Sequence, residues 1–406
     1  MKINFFGHFG TPNTGNESTL IATLTRLRSL LPDAEFCCIC TFPQSVTLRD
    51  GIDAVPITTR TARLWDRERP LHLRLARASL GIADELGQWV RAFRILKGSS
   101  MLIIPGTGLL TDAYAEDWRP YNVLKWSAAA RLRGCKVLFV SVGAGPLYGR
   151  KGRLFVKLAL SLADYRSFRD RPSASCVERI GFRDEQIHIY PDLAFSLSDD
   201  DLPSASARPE KDGRRVVGLG LMEYAGRYSV EDPRAETFSV YLDALVDLVG
   251  WLLARDYDVR LLLGDGDTMV IDDFTALLRE RVETYSPERV SYRQVDTVEE
   301  ILAAIAATDV VVATRFHNVL LSLLLNKPVI AISFHHKCSS LMNEMGLSEY
   351  CHDIGDMSAP RLIGQFEELE RHTTELKETI RTSVEAQRRA LEEQYSLLFD
   401  SQMLRS

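Results

Sequence analysis

The sequence predicts an α/β fold in two halves, on three observations. Short apolar runs alternate with longer helix-patterned stretches, the signature of parallel sheets with helices on both faces. A polar stretch rich in Ser, Asp and Pro from Ser198 to Lys211 interrupts this alternation, which then restarts. At 406 residues with 46% hydrophobic residues, the chain exceeds one ordinary core at about 150 residues per domain.

Taken in order, β-branched and aromatic runs predict strands over residues 3–6, 35–40, 101–104, 137–142 and 186–190, with helices at 18–31 and 121–133. Another helix is expected from Ser167–Ser173 onward, after an apolar segment. This first domain, residues 1–197, carries an Arg-rich insertion at about 60–97. Residues 198–212 read as the linker, and 213–358 as the second domain. Its strands are expected at 216–221, 259–263, 290–292, 310–313 and 329–332, with helices at 240–254, 298–307 and 317–325. The tail, 359–406, places Leu362, Phe366 and Leu369, then Leu391, Tyr395 and Leu398, at helical spacing. That pattern fits a helix packing back toward the first domain, or a coiled-coil partner helix. Two such halves are expected to form a cleft between the carboxyl ends of their strands.

Composition narrows the function. A formal net charge of -6 argues against a general nucleic-acid binder, whose footprint is a basic stripe. An anionic ligand must therefore meet basic residues gathered locally. The seven cysteines show no zinc spacing, and Cys37, Cys38 and Cys40 lie in a strand-like run, so reduced buried thiols are expected. Gly7, His8 and Gly10 break the apolar start before any secretory core forms, and no run reaches the ~20 apolar residues of a membrane span. The expected location is cytoplasmic. The stretch Arg60–Arg94, with Trp65 and Trp89, reads as a solvated helical insertion. Peripheral association with the inner face of a membrane is the alternative, against which Asp66, Glu68, Asp84 and Glu85 weigh.

The most informative segment is Thr314-Arg315-Phe316-His317-Asn318, between an apolar strand and an apolar helix. Unpaired helix N–H groups and the helix dipole favour an anion there. Arg315 offers a fork of donors and His317 a group that titrates near neutral pH, so the pair supplies a clamp and an acid or base. The bland alternative is a loop-capping Arg and a helix-filling His. Three glycine-bearing turns follow three predicted strands: Gly7 to Ser18, with Gly10, Asn16 and Glu17; Gly106-Thr107-Gly108 leading to Asp112; and Gly143-Ala144-Gly145. None is a Walker loop or a dinucleotide fingerprint. Asp112 suits a sugar hydroxyl, or a helix N-cap. Arg169 is a second anion ligand unless Asp170 neutralises it, and Lys337 adds a point charge after the strand that follows the Arg-Phe-His segment. Gly264-Asp265-Gly266-Asp267 reads as a solvated turn, and His335-His336 lack further metal ligands.

Together these pieces resemble the polysaccharide pyruvyl transferase family. Gly7 to Ser18 is similar to its opening glycine loop ending in Gly-Asp/Asn-Glu, and Gly106 to Asp112 to its Gly-Gly-Gly-x-Leu-x-x-Asp segment. Arg169-Asp170 resembles its Val-Arg-Asp, Pro191-Asp192-Leu193-Ala194-Phe195 its Pro-Asp-x-Ala-Phe, and Thr314-Arg315-Phe316-His317 its Ser-Arg-x-His. Pro105 and Thr107 stand where the family usually has glycine, and Asn16 where Asp is common. The resemblance implies two Rossmann-like domains in a GT-B-like arrangement. It also implies transfer of the pyruvyl group of phosphoenolpyruvate to sugar hydroxyls of a polysaccharide or its precursor, with a sugar, oligosaccharide or lipid-linked glycan as acceptor. It assigns His317 as acid, Arg169, Arg315 and Lys337 as clamps, Asp112 as a catalytic residue that orients or deprotonates the acceptor, and no metal or redox cofactor. The rival readings are a GT-B-type glycosyltransferase using a nucleotide sugar, with Glu223 or Asp265 contacting the nucleotide, and a non-catalytic sugar- or anion-binding protein.

Overall fold

The computed structural model describes residues 1–59, 71–113, 118–184, 187–203, 213–223, 233–262, 268–334 and 336–399, with backbone alone at 71–80, 233–234 and 268–269. Two compact units result. One is Met1–Thr11 with Thr19–Leu193, the other Pro12–Ser18 with Ala194–Ser406.

The first unit contains β1 (Lys2–Phe6), α1 (Thr14–Leu30, its first turn counted with the second unit), β2 (Glu35–Cys40), α2 (Pro43–Asp50), β3 (Asp53–Pro56), α3 (Leu71–Ile95) and β4 (Met101–Pro105). It continues through α4 (Arg119–Leu132), β5 (Lys136–Val142), α5 (Arg150–Ser161), β6 (Tyr165–Phe168), α6 (Arg171–Arg179) and β7 (His188–Ile189). All seven strands are parallel, in the order β3-β2-β1-β4-β5-β6-β7. Such strands are covered on both faces, which is why Met101–Pro105 and most of Lys136–Val142 are buried without alternation. The order reverses between β1 and β4, the switch point at which doubly wound sheets bind ligands.

The second unit repeats the plan. It contains β8 (Val216–Gly220), α7 (Pro233–Ala254), β9 (Asp258–Leu261), α8 (Thr268–Arg281), β10 (Val290–Tyr292), α9 (Val298–Ala306) and β11 (Val310–Ala313). Then come α10 (Phe316–Leu324), β12 (Val329–Ser333), α11 (His336–Glu344), β13 (Cys351–Asp353), α12 (Ala359–Arg371) and α13 (Thr373–Phe399). Its parallel order is β10-β9-β8-β11-β12-β13, with the switch point between β8 and β11.

Several expectations are corrected. Strands β3, β6 and β13 lacked a signal because each is short and carries a polar or charged residue (Asp53, Arg166, His352). Of the strand expected at 186–190, β7 takes His188–Ile189, with residue 186 outside the described set. The helix expected from Ser167 begins at Arg171, since Ser167 and Phe168 close β6. From residue 71 the Arg-rich stretch is the crossover helix between β3 and β4, with Ala92 and Leu96 buried; residues 60–70 lie outside the described set. In the tail, α12 packs on α7 through Trp251 and Phe366, whose ring centroids are 5.8 Å apart. Helix α13 holds the segment after Leu193: Arg388 donates to the Phe195 and Leu197 carbonyls, and Tyr395 shares a 3.2 Å hydrogen bond with Ser196. Helix α7 is apolar and long enough to span a membrane, yet 56% of that window is buried within the fold.

Candidate active site

On the first unit, the loops after β1, β4 and β5 emerge at one edge. Gly10 adopts φ +75°, and a Cβ there would lie 2.2 Å from the Phe42 carbonyl oxygen, so this glycine serves chain approach. Gly106 takes φ +28° against the Thr19 side chain, whereas Gly108 has open space around it. The Thr107 hydroxyl is buried without a hydrogen-bond partner, and the Thr107 carbonyl accepts from Gly143 N–H at 3.3 Å. The second and third glycine turns are thus one assembly. Asp112 does not cap α4, whose N-cap is Trp118. Its two carboxylate oxygens instead accept the N–H groups of Tyr148 and Gly149, both at 2.7 Å, which fixes the loop leading into α5.

Arg169 follows β6 directly. Near it, Ser141 holds φ +50° within β5 and donates its N–H to Ser167 Oγ at 2.7 Å, an irregularity that redirects the end of the strand. The guanidinium then lies against Gly143, where a Cβ would meet it at 3.2 Å. Arg169 is 7% exposed and donates to Asp192 Oδ2 at 3.0 Å, with Asp170 Oδ2 at 3.4 Å from Nε. Asp170 also accepts from Ser173 N–H at 2.7 Å, capping α6. Two sequence motifs, Arg169-Asp170 and Pro191-Asp192, therefore meet in one buried ion pair.

On the second unit, Thr314, Arg315 and His317 leave the carboxyl end of β11 at the switch point. Thr314 is fully buried and shares a 2.9 Å hydrogen bond with the Tyr241 hydroxyl, which also accepts from Met222 N–H at 3.3 Å after β8. Tyr241 thus ties the two strand ends on either side of the switch point. Arg315 takes extended backbone at the N-cap of α10, without a side-chain cap. Arg315, Phe316 and His317 are half-buried, and the His317 ring meets the Phe316 ring edge-on at 4.9 Å. Lys337 sits half-buried in the first turn of α11, whose next residue, Cys338, reaches the Thr314 carbonyl at 3.8 Å.

The segment Pro12–Ser18 belongs to this unit and completes the edge. Asn13 Oδ1 accepts Asn16 N–H at 2.9 Å, capping α1, and Glu17 is buried in its first turn. A Cβ on Gly15 would lie 2.0 Å from His317 Nδ1, so the imidazole rests directly on the backbone of that turn. The N-termini of α1 and α10 consequently border the imidazole, with Arg315 two residues ahead of it at the N-cap of α10 and Lys337 in the first turn of α11, after the neighbouring strand. Helix dipoles and cationic side chains of one sign are what a carboxylate or phosphate requires.

Three contributors escaped sequence reasoning: Gly15, Tyr241 and Asp192. Gly15 and Asp192 both lie inside motifs visible in the sequence, but only the fold shows that Gly15 bears the imidazole and that Asp192 pairs with Arg169. Glu223 is half-buried; Asp265 and His335 lie outside the described residues. Among the described residues, no three His, Cys, Asp or Glu side chains gather as a metal set, and the cysteines are free.

The two parallel, doubly wound sheets give this chain an α/β fold like that of the GT-B glycosyltransferases and epimerases. A glycosyltransferase from Rickettsia africae ESF-5 superposes with a TM-score of 0.57 at 12% identity, over 98% of this chain and 99% of that one. A putative UDP-N-acetylglucosamine 2-epimerase from Listeria monocytogenes gives 0.62 at 10% identity, over 99% and 98%. Sucrose-phosphate synthase from Thermosynechococcus elongatus gives 0.60 at 14%, over 98% and 99%. At such identities the likeness carries the fold. The family model described as polysaccharide pyruvyl transferase matches residues 13–336, and this chain belongs to that family. Membership supports a pyruvyl transferase of polysaccharide biosynthesis with a sugar or polysaccharide acceptor.

Proposed function

We infer that this protein transfers the pyruvyl group of phosphoenolpyruvate to two hydroxyls of a sugar, forming a ketal and releasing phosphate. The observation that carries this reading is the His317 imidazole seated beside Arg315 between two helix N-termini, within a chain of this family. Arg315 and Lys337 hold the carboxylate and phosphate. His317 protonates the methylene carbon, leaving an oxocarbenium-like centre that the first sugar hydroxyl attacks. The second hydroxyl then displaces phosphate. One hydroxyl proton makes good the proton now in the methyl group, and the other leaves with phosphate, so the exchange balances without an oxidant or reductant.

Acceptor recognition is assigned to the first unit's edge, around Gly106, the open Gly108 and the remaining lone pairs of the Asp112 carboxylate. Arg169, ion-paired to Asp192 and Asp170, holds Gly143 and so shapes that edge rather than charging it. Incubation with phosphoenolpyruvate and a panel of free, nucleotide-linked and lipid-linked sugars tests the reading, with phosphate release and a pyruvyl ketal in the product mass spectrum as the expected result. Thermal stabilisation by UDP- or GDP-sugars, with none by phosphoenolpyruvate, would establish a glycosyltransferase instead.

A further inference from the structure

Helix α5 presents a face that the reaction does not use. Its inner side is buried through Gly152, Val156, Ala159 and Leu160, while Leu154 and Leu158, one turn apart, are 53% and 43% exposed. Tyr148, just ahead of the helix, is 72% exposed. Basic residues flank this strip: Arg150, Lys151 and Lys157 are exposed, and no acidic residue occurs between Tyr148 and Ala163. The chain as a whole is acidic, so this cluster is a local departure.

The strip continues across neighbouring helices. Phe155 on α5 meets Tyr121 on α4 with ring centroids 5.5 Å apart, and Tyr121 meets the largely exposed Trp118 at 6.1 Å. Tyr121 also accepts from Trp89 of α3 at 3.1 Å, on a helix where Ile82 and Leu86 are exposed. Asp112 lies against α5 at Gly152, its carboxylate taken up by the Tyr148 and Gly149 N–H groups; Asp117 precedes Trp118 in the sequence, and Asp84 and Glu85 lie on α3. Glu85 is engaged by Lys125 at 3.2 Å and by the Tyr121 hydroxyl at 2.8 Å.

We propose that this face, centred on α5 and Trp118, docks the protein on an anionic lipid bilayer. Leucines between Lys and Arg, with Trp and Tyr at the margin, suit the headgroup boundary, where apolar side chains enter the acyl region and cations meet phosphate. On α5 itself the charged residues around the exposed leucines are all cationic, which an anionic surface calls for and a protein partner by itself would not. The proposal concerns where the protein works and stands independently of the donor it uses.

Co-sedimentation of the full chain with vesicles tests it. Binding is expected to equimolar phosphatidylcholine and phosphatidylglycerol, to weaken with salt, and to be absent with pure phosphatidylcholine. Lys151→Gln with Lys157→Gln should weaken binding roughly thirtyfold, at about fivefold per charge. Leu154→Ser with Leu158→Ser should weaken it about tenfold or more. Because these positions are exposed, both variants should melt with the parent protein, and a circular-dichroism melt verifies this. No sedimentation with anionic vesicles overturns the proposal, as does parent-like binding by both variants. A dimer in sedimentation velocity that the Leu154→Ser/Leu158→Ser variant abolishes, without vesicle binding, assigns the face to a second copy of the chain and likewise overturns it.

Discussion

Each unit carries an arginine just past a strand, Arg169 one residue beyond β6 and Arg315 two beyond β11, yet the two are held differently. Arg169 is buried against Gly143 and ion-paired to Asp192 and Asp170. Arg315 is half-buried at the N-cap of α10, beside an imidazole that rests on Gly15. Burying a guanidinium is costly unless carboxylates compensate it, so Arg169 comes with two and becomes part of the framework. A half-buried guanidinium at a helix N-terminus keeps donors within reach of a ligand. The same residue type, near a strand end in both units, is part of the framework in one; in the other, under the proposed reaction, it clamps the ligand.

The largest expected effect would break this comparison outright. His317→Ala should abolish phosphate release while phosphoenolpyruvate affinity by calorimetry stays within about tenfold, ~1.4 kcal/mol, because protonation acts mainly in the transition state. Arg315→Ala should show the opposite bias, with affinity falling first. Parent-like turnover in the first variant removes the acid role, and unchanged affinity in the second removes the clamp.

Gly15→Ala comes next. The new methyl must displace the imidazole, and an error near 1 Å at a reacting group costs roughly a hundredfold in turnover. Added to His317→Ala, the same change should do nothing further, since its target is gone. Gly364→Ala, at a helical glycine whose Cβ would meet nothing within 4 Å, is the matching control and should stabilise by up to about 1 kcal/mol. Equal loss of activity in both glycine variants would dissolve the link between Gly15 and His317.

On the first unit, the comparison is sharpened by stability. Arg169→Ala leaves buried carboxylates uncompensated and should cost about 3–5 kcal/mol in urea denaturation, and Asp192→Ala a similar amount. The double variant should cost clearly less than their sum. Additive losses would mean that the two motifs are not coupled.

The smallest effect lies away from both strand ends. His352 on β13 is 1% exposed, and burial holds its pKa below the ordinary 6.5. Between the depressed folded value and 6.5, the unfolded chain binds a proton that the folded chain does not. Stability therefore rises with pH through that window and is lost as pH falls. His352→Leu should flatten that dependence in melts across the acidic range, and an unchanged profile would assign it to other groups.

Local pattern was enough for much of this protein. The apolar run at 310–313 became β11 with those bounds, because a strand buried on both faces must be apolar throughout. Position on the chain likewise marked Arg315 and His317, since a strand followed by an apolar helix places the intervening residues at a helix N-terminus whatever the rest of the fold does. Short edge strands such as β13 carry too few residues to show a period. Tertiary structure alone decided which charges neutralise one another and which glycines bear a neighbour. Asp192 is 23 residues from Arg169, Tyr241 is 73 from Thr314, and Gly15 is roughly three hundred from His317. Such pairs are set by strand order and by how each loop leaves its sheet, quantities that periodicity and propensity do not contain.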